Sequence, residues 1–166
     1  MVLVTAEPGD PYHWESYPSE GTLEEQLEAS CTHVYEVLRD GPDLYHRNIR
    51  YILDQAFPGS TFREQMCRTW VTDSVLCSAR VEGGSVPAAV ARECRSRYLE
   101  AQLQLFPRAI VAALGSKARN RLRGWPRVMS AIAVAPSGCN LPAARPSWNA
   151  IAAAVRRAAV AERKQR

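Results

Sequence analysis

Residues 93–118 read ECRSRYLEAQLQLFPRAIVAALGSKA. The first half belongs to a long helical pattern, VPAAVARECRSRYLEAQLQLF, with Pro87 suited to its first turn and Pro107 unable to continue it. The run AIVAALG that follows is apolar throughout, with no polar alternation, as in a strand covered on both faces. It delivers Gly115 into SKARNRL, a short basic helix. A helix, a fully apolar strand, a glycine turn and another helix in immediate succession predict a parallel sheet layered between helices.

The flanking sequence extends the pattern. Val2–Thr5 is a short apolar run, read as a buried strand. Thr22-x-x-Glu25 is a capping box that opens a helix in which Leu23, Leu27, Cys31, Val34, Tyr35 and Leu38 recur at helical spacing, and Gly41-Pro42 stops it. DLYHRNIRYILDQAF forms a second helix ending at Pro58-Gly59. A short helix capped by Ser60 follows, then a β-branched run from Trp70 to Val75, with Trp70 assigned to the core. Gly83-Gly84 marks a loop. After the basic helix, MSAIAV is a further strand running into APSGCNLPAARPSW, and a last helix begins near Pro146-Ser147. The expectation is one domain over residues 1–166, a three-layer α/β/α sandwich around a roughly four-stranded parallel sheet. Ligands of such sheets sit beyond the carboxyl ends of the strands. Here those ends are AEPGDPYH, TDSVLC, GSKA and APSGCN.

Composition narrows the class. At 166 residues and 46% apolar content the chain can bury one ordinary core. No stretch of ~18 apolar residues offers a membrane span, and no secretory signal pattern is present at the N-terminus. Five cysteines, Cys31, Cys67, Cys77, Cys94 and Cys139, are odd in number and never form a CxxC pair. That argues against a disulfide framework and for a reducing, cytoplasmic setting. Cys31 and Cys67 fall in helical patterns and read as small core residues.

The net charge of +4 is unevenly spread. Residues 1–115 hold 10 Lys+Arg against 16 Asp+Glu, whereas residues 116–166 hold 11 against the single Glu162. A one-sided, arginine-rich half is the electrostatic footprint of a nucleic-acid partner; on charge alone Lys117 through Arg127 fits that or a solvated basic helix equally, and the last turn, AERKQR, reads as the solvated helix. No GxxxxGK[ST] phosphate loop is present.

Four segments, in order, resemble the uracil-DNA glycosylase superfamily. VLVTAEPG is similar to its first strand and catalytic loop, and WVTDSVLC to its second conserved strand. ECRSRYLEAQLQLFPRAIVAALGSKA resembles the helix, strand and glycine turn of its iron–sulfur branches. AIAVAPSGCN stands where the family has its His-Pro-Ser loop. The resemblance implies hydrolysis of the bond between deoxyribose and a base flipped out of DNA, with DNA as partner. It implies a first-loop carboxylate at Glu7 or at Asp10. Strand register favours Glu7, in Thr5-Ala6-Glu7-Pro8-Gly9, while Asp10-Pro11-Tyr12-His13 reproduces a water-activating motif in which the Tyr blocks thymine. Both acids could instead only solvate a turn. Asp73 falls at the base-reading position, with Tyr12, His46 and Asn48 as further pocket candidates beside Tyr45 and Arg47; the cluster from Tyr45 to Asn48 could instead only cap its helix and cover its neighbours. Ser116, Lys117, Ser137, Gly138, Asn140 and Arg145 are candidates for holding DNA phosphates. Arg145 with Leu141-Pro142 could also supply a minor-groove wedge.

The chain departs from the family in three places. The loop histidine is Ala135, removing a group of a kind worth ~10²–10⁴ in rate. Asp73 replaces an Asn, and an ionised carboxylate only accepts hydrogen bonds, which suits a base presenting adjacent donors better than uracil. Alternatively Asp73 caps the next segment or pairs with an Arg. Cys77 and Cys94 have the spacing of two iron–sulfur ligands but lack an upstream pair, so no cofactor is expected and a [4Fe–4S] cluster is disfavoured. Two alternatives to an active glycosylase stand: a catalytically silent relative that binds nucleic acid or a protein, and a small-molecule hydrolase on the same sheet. Oligomeric state stays open.

Overall fold

The computed structural model describes residues 1–8, 21–76 and 84–164. Asp10, Tyr12, His13 and Cys77 lie outside the described residues. Four strands, β1 (Val2–Thr5), β2 (Trp70–Asp73), β3 (Val111–Leu114) and β4 (Val128–Ala131), form one sheet in the order β2-β1-β3-β4. Every pairing is parallel, with Leu3 opposite Val71 and Ala112, and Ala112 opposite Met129.

Alternation along the central strands assigns two apolar faces. Leu3, Ala112 and Leu114 point into one core with α1 (Leu23–Asp40), α2 (Leu44–Ala56) and α7 (Ala144–Lys164), where Trp148, Ile49, Ile52 and Ile151 are fully covered. Val2, Val4, Val111 and Ala113 point the other way, onto Leu99 and Leu103 and onto Ala118 and Leu122 at α6 (Ser116–Arg121). The protein is therefore an α/β sandwich of three layers, as its unbroken apolar strands predict. Among the described residues no helix is long and apolar enough to cross a membrane.

The expected helix over residues 86–106 is present with one irregularity. It runs as α4 (Ala88–Cys94), a π-helical turn at Arg95–Leu99, and α5 (Glu100–Gln104), with Pro87 as N-cap. The Arg95 guanidinium donates to Glu100 at 2.8 Å and to the carbonyls of Arg121 and Arg123 at 2.9 and 3.2 Å. A cation thus meets the unsatisfied carbonyls where α6 ends.

Several boundaries and placements need correction. Thr61, not Ser60, caps α3 (Phe62–Met66), because Thr61 and Glu64 form a reciprocal capping box. β4 stops at Ala131 rather than Val134, since the Ile132 N–H donates to Ser147 Oγ at 3.0 Å and its carbonyl accepts from the Trp148 indole at 2.8 Å. Helix α7 begins at Ala144, with Pro146 in its first turn, where no intrahelical donor is required. Trp70 is not core. It lies on the edge strand, 42% exposed, with its indole N–H on Gln102 Oε1 at 3.0 Å. Cys31 and Cys67 are exposed, and among the described cysteines Cys94 is the buried one. For Cys31 the reason is that α1 turns Leu23, Leu27 and Val34 outward and buries Leu38.

Candidate functional site

Chain order places the site. In the order β2-β1-β3-β4 the chain passes from β1 to β2 on one side and from β3 to β4 on the other, so the winding switches direction between β1 and β3. This divergence opens the crevice in which doubly wound sheets hold ligands. Glu7 follows β1, and Lys117 and Arg121 lie one helical turn apart on α6, directly after β3.

These three side chains converge. Lys117 Nζ binds Glu7 Oε1, and Arg121 Nη1 binds Glu7 Oε2 at 2.6 Å. The same Nη1 reaches the Ala6 carbonyl at 2.7 Å and Ser74 Oγ at 3.0 Å, and the Ser74 hydroxyl donates to Ala6 O at 2.5 Å. Lys117 also donates to the Gly84 carbonyl at 2.6 Å. The Glu7 side chain is 5% exposed. Burial acts to raise its carboxyl, but the hydrogen bonds and charges of Lys117 and Arg121 outweigh it and hold the group below the usual carboxylate range.

A second carboxyl stands beside the first in the opposite condition. Asp73 ends β2 in register with Thr5, whose hydroxyl donates to Asp73 Oδ1. Tyr45 OH lies 3.5 Å from the same Thr5 hydroxyl. Burial pushes the Asp73 carboxyl up to about 6, with the Thr5 hydroxyl pulling down and the negative Glu7 adding to the rise. Burial, with Asp73 nearby, also raises the Tyr45 phenol and keeps it neutral. The second Asp73 oxygen has no hydrogen-bond partner among the described residues.

The fourth strand end completes the edge. Gly115 has φ +100°, and a Cβ there would stand 3.0 Å from Ala133 Cβ. A Cβ on Gly138 would stand 2.8 Å from the same atom. The two glycines thus let the β3 turn and the 135–140 loop close on Ala133 together. Ser137 is left-handed at φ 70°, and the loop is stitched by Cys139 N–H to Ala135 O at 3.0 Å.

Sequence-derived candidates divide into three groups. Glu7, Asp73 and Lys117 come together at the crevice, Lys117 on a carboxylate. Ser116, Ser137, Asn140 and Arg145 are exposed, Gly138 is half-buried, and the Arg145 guanidinium lies over the Tyr51 ring at 4.5 Å. His46 and Asn48 make structural contacts. His46 Nδ1 is 2.9 Å from Asp43 Oδ1 at the start of α2, and the buried Asn48 amide donates to Val134 O at 2.8 Å. Thr5, Ser74 and Arg121 escaped the sequence reading. Arg121 had a usable signal, its i,i+4 spacing from Lys117 on a helix that opens at a strand end. Among the described residues no three His, Cys, Asp or Glu side chains gather as metal ligands. The chain matches no protein-family model, no curated protein and no solved structure.

Proposed function

We propose that the chain is a diverged member of the uracil-DNA glycosylase superfamily that hydrolyses the N-glycosidic bond of a damaged or deaminated base flipped out of DNA. The observation that carries the reading is the pair of carboxyls at neighbouring strand ends, one kept ionised and one kept protonatable. Environments that push two acids apart in this way mark opposite roles in acid–base chemistry. Glu7, negative at neutral pH, suits stabilisation of the cationic sugar that develops as the C1′–N bond breaks. Asp73, when protonated, offers one donor and one acceptor, as an amide does, so it can read a uracil-like edge. When ionised it accepts only, and suits a purine presenting adjacent donors. The exposed Ser116, Ser137, Asn140 and Arg145 are available to a phosphate backbone.

A second reading draws on the same geometry. Both Glu7 oxygens are engaged by cations, and Ala135 stands where the family has its histidine, which favours a silent relative that binds nucleic acid without cleaving it. Oligonucleotides bearing uracil, hypoxanthine, xanthine or alkylated purines separate the two. Alkali-labile abasic sites support the glycosylase, and salt-dependent binding without them supports the silent binder. Salt-independent or absent DNA binding overturns both.

A further inference from the structure

Helix α1 carries an apolar stripe that the fold leaves outside. Leu23, Leu27 and Val34 are 72%, 57% and 49% exposed, and Leu23, Leu27 and Cys31 form an open apolar face flanked by Glu24 and Glu28. Helix α7 carries the counterpart: Ala153 and Val160 form an open face flanked by Arg156 and Arg157, with Val160 53% exposed. One face is apolar with two acids, the other apolar with two arginines. Their chemistry is complementary, and within one protomer they cannot meet, because α2 packs against both helices and separates them.

Their placement suits pairing between copies. Both helices cover the same sheet face. The first turn of α2 meets Thr5 and Val134 at the carboxyl edge, and α7 starts from that edge, where Ser147 and Trp148 bind Ile132. Helix α1 ends there, at Gly41, so Leu23 and Leu27 lie toward the opposite edge, as do Arg157 and Val160. A two-fold axis running along α2 would bring the exposed face of each α1 onto that of α7 in the other copy, at the same level, twice. The facing stretches, residues 23–31 and 153–160, each cover about two helical turns, roughly 11–12 Å.

We propose that the chain forms a two-fold dimer in which α1 of each protomer lies on α7 of the other, Leu23 and Leu27 against Ala153 and Val160, with Glu24 and Glu28 facing the arginines. Arg157 is the better partner, because Arg156 also donates to the Gln55 carbonyl. This inference is independent of any activity at the crevice.

The test is sedimentation velocity on the full chain at low and high salt, with circular dichroism confirming the fold of each variant. All substitutions sit on exposed positions. The wild type is expected to sediment as a dimer that weakens with salt. Leu27→Glu, Glu28→Arg and Arg157→Glu are each expected to raise the dissociation constant roughly tenfold or more. The double variant Glu28→Arg/Arg157→Glu, which re-forms the pair in reverse, is expected to recover dimer. A monomeric wild type overturns the proposal, as does a dimer indifferent to the single variants. It also fails if Arg157→Glu lowers DNA affinity with no change in mass, which would assign the α7 face to nucleic acid. Failure of the double variant to recover the dimer removes the assigned pairing.

Discussion

Glu7 and Arg121 lie 114 positions apart in the chain and meet at 2.6 Å, with the same guanidinium nitrogen reaching Ala6 and Ser74. The contact joins the end of β1, the end of β2 and helix α6 across the crevice. A carboxylate this covered is stable as an anion only while its cations are present. Glu7→Gln keeps the shape, removes the charge, and leaves Arg121 short of a counter-ion. The expected cost is about 1–3 kcal/mol, moderated by the exposure of Lys117. Urea midpoints of wild type and variant at neutral pH measure it, and equal midpoints would mean that the ion pairs contribute nothing.

Asp73 makes stability fall as pH rises. Its ordinary value is 3.8 and its folded value about 6. Between these the folded state holds a proton that the unfolded state has lost, so the contribution of Asp73 declines across this window and levels off above it. About 2 units correspond to at most ~3 kcal/mol. Glu7 has the opposite sign. Its depressed value gives stability that is complete above 4.5 and lost only as pH falls through the lower folded value. Thermal denaturation from about pH 4 to 7 should therefore show an acid-side rise in Tm that vanishes in Asp73→Asn. A variant that keeps the full slope would assign it to another group.

Ala133 sets a steric limit on the carboxyl edge. Gly138→Ala puts a methyl 2.8 Å from Ala133 Cβ and 3.3 Å from its carbonyl oxygen. The expected loss is ~1–3 kcal/mol. Ala133→Gly in the same chain should restore a good part of it, because it removes the atom that is struck. An unrecovered double variant would place the strain elsewhere in the loop.

Asn48 bridges α2 to the strand end at Val134 from a buried position. Asn48→Ala strands the Val134 carbonyl and should cost about 1–3 kcal/mol. Hydrogen exchange faster than wild type at Cys139 and Leu141, whose amides are bonded within the following loop, would show the damage reaching the site. Unchanged exchange would separate Asn48 from the loop.

Sequence carried the architecture well because the deciding signals were local. Continuous apolar strands, the Thr22–Glu25 box and Gly115 are each read within a few residues, and each sits where its chemistry requires. Errors arose where tertiary partners decide. Ile132 looks like strand, yet Ser147 and Trp148 take its backbone groups. Leu23, Leu27 and Cys31 have core spacing on a helix that buries another face. At the site, the family resemblance, with strand register for Glu7, singled out Glu7 and Asp73, and a helix start singled out Lys117, but not their relationship. That Lys117 would neutralise Glu7 rather than stand ready for phosphate depends on a contact spanning 110 positions, and no local pattern encodes it. Asp73 read as an acceptor only, because burial beside Glu7, which returns its proton near neutrality, is a property of the folded edge.

The most direct measurement is single-turnover excision on the panel of modified oligonucleotides, followed from about pH 5 to 8 for wild type, Glu7→Gln and Asp73→Asn. The account predicts abasic product on at least one base and a wild-type rate on uracil-like bases that falls as pH rises through about 6. It predicts no such fall in Asp73→Asn and a Glu7→Gln rate lower by ~10²–10⁴. A folded wild type that releases no base at any pH, or a Glu7→Gln variant as fast as wild type, would contradict it.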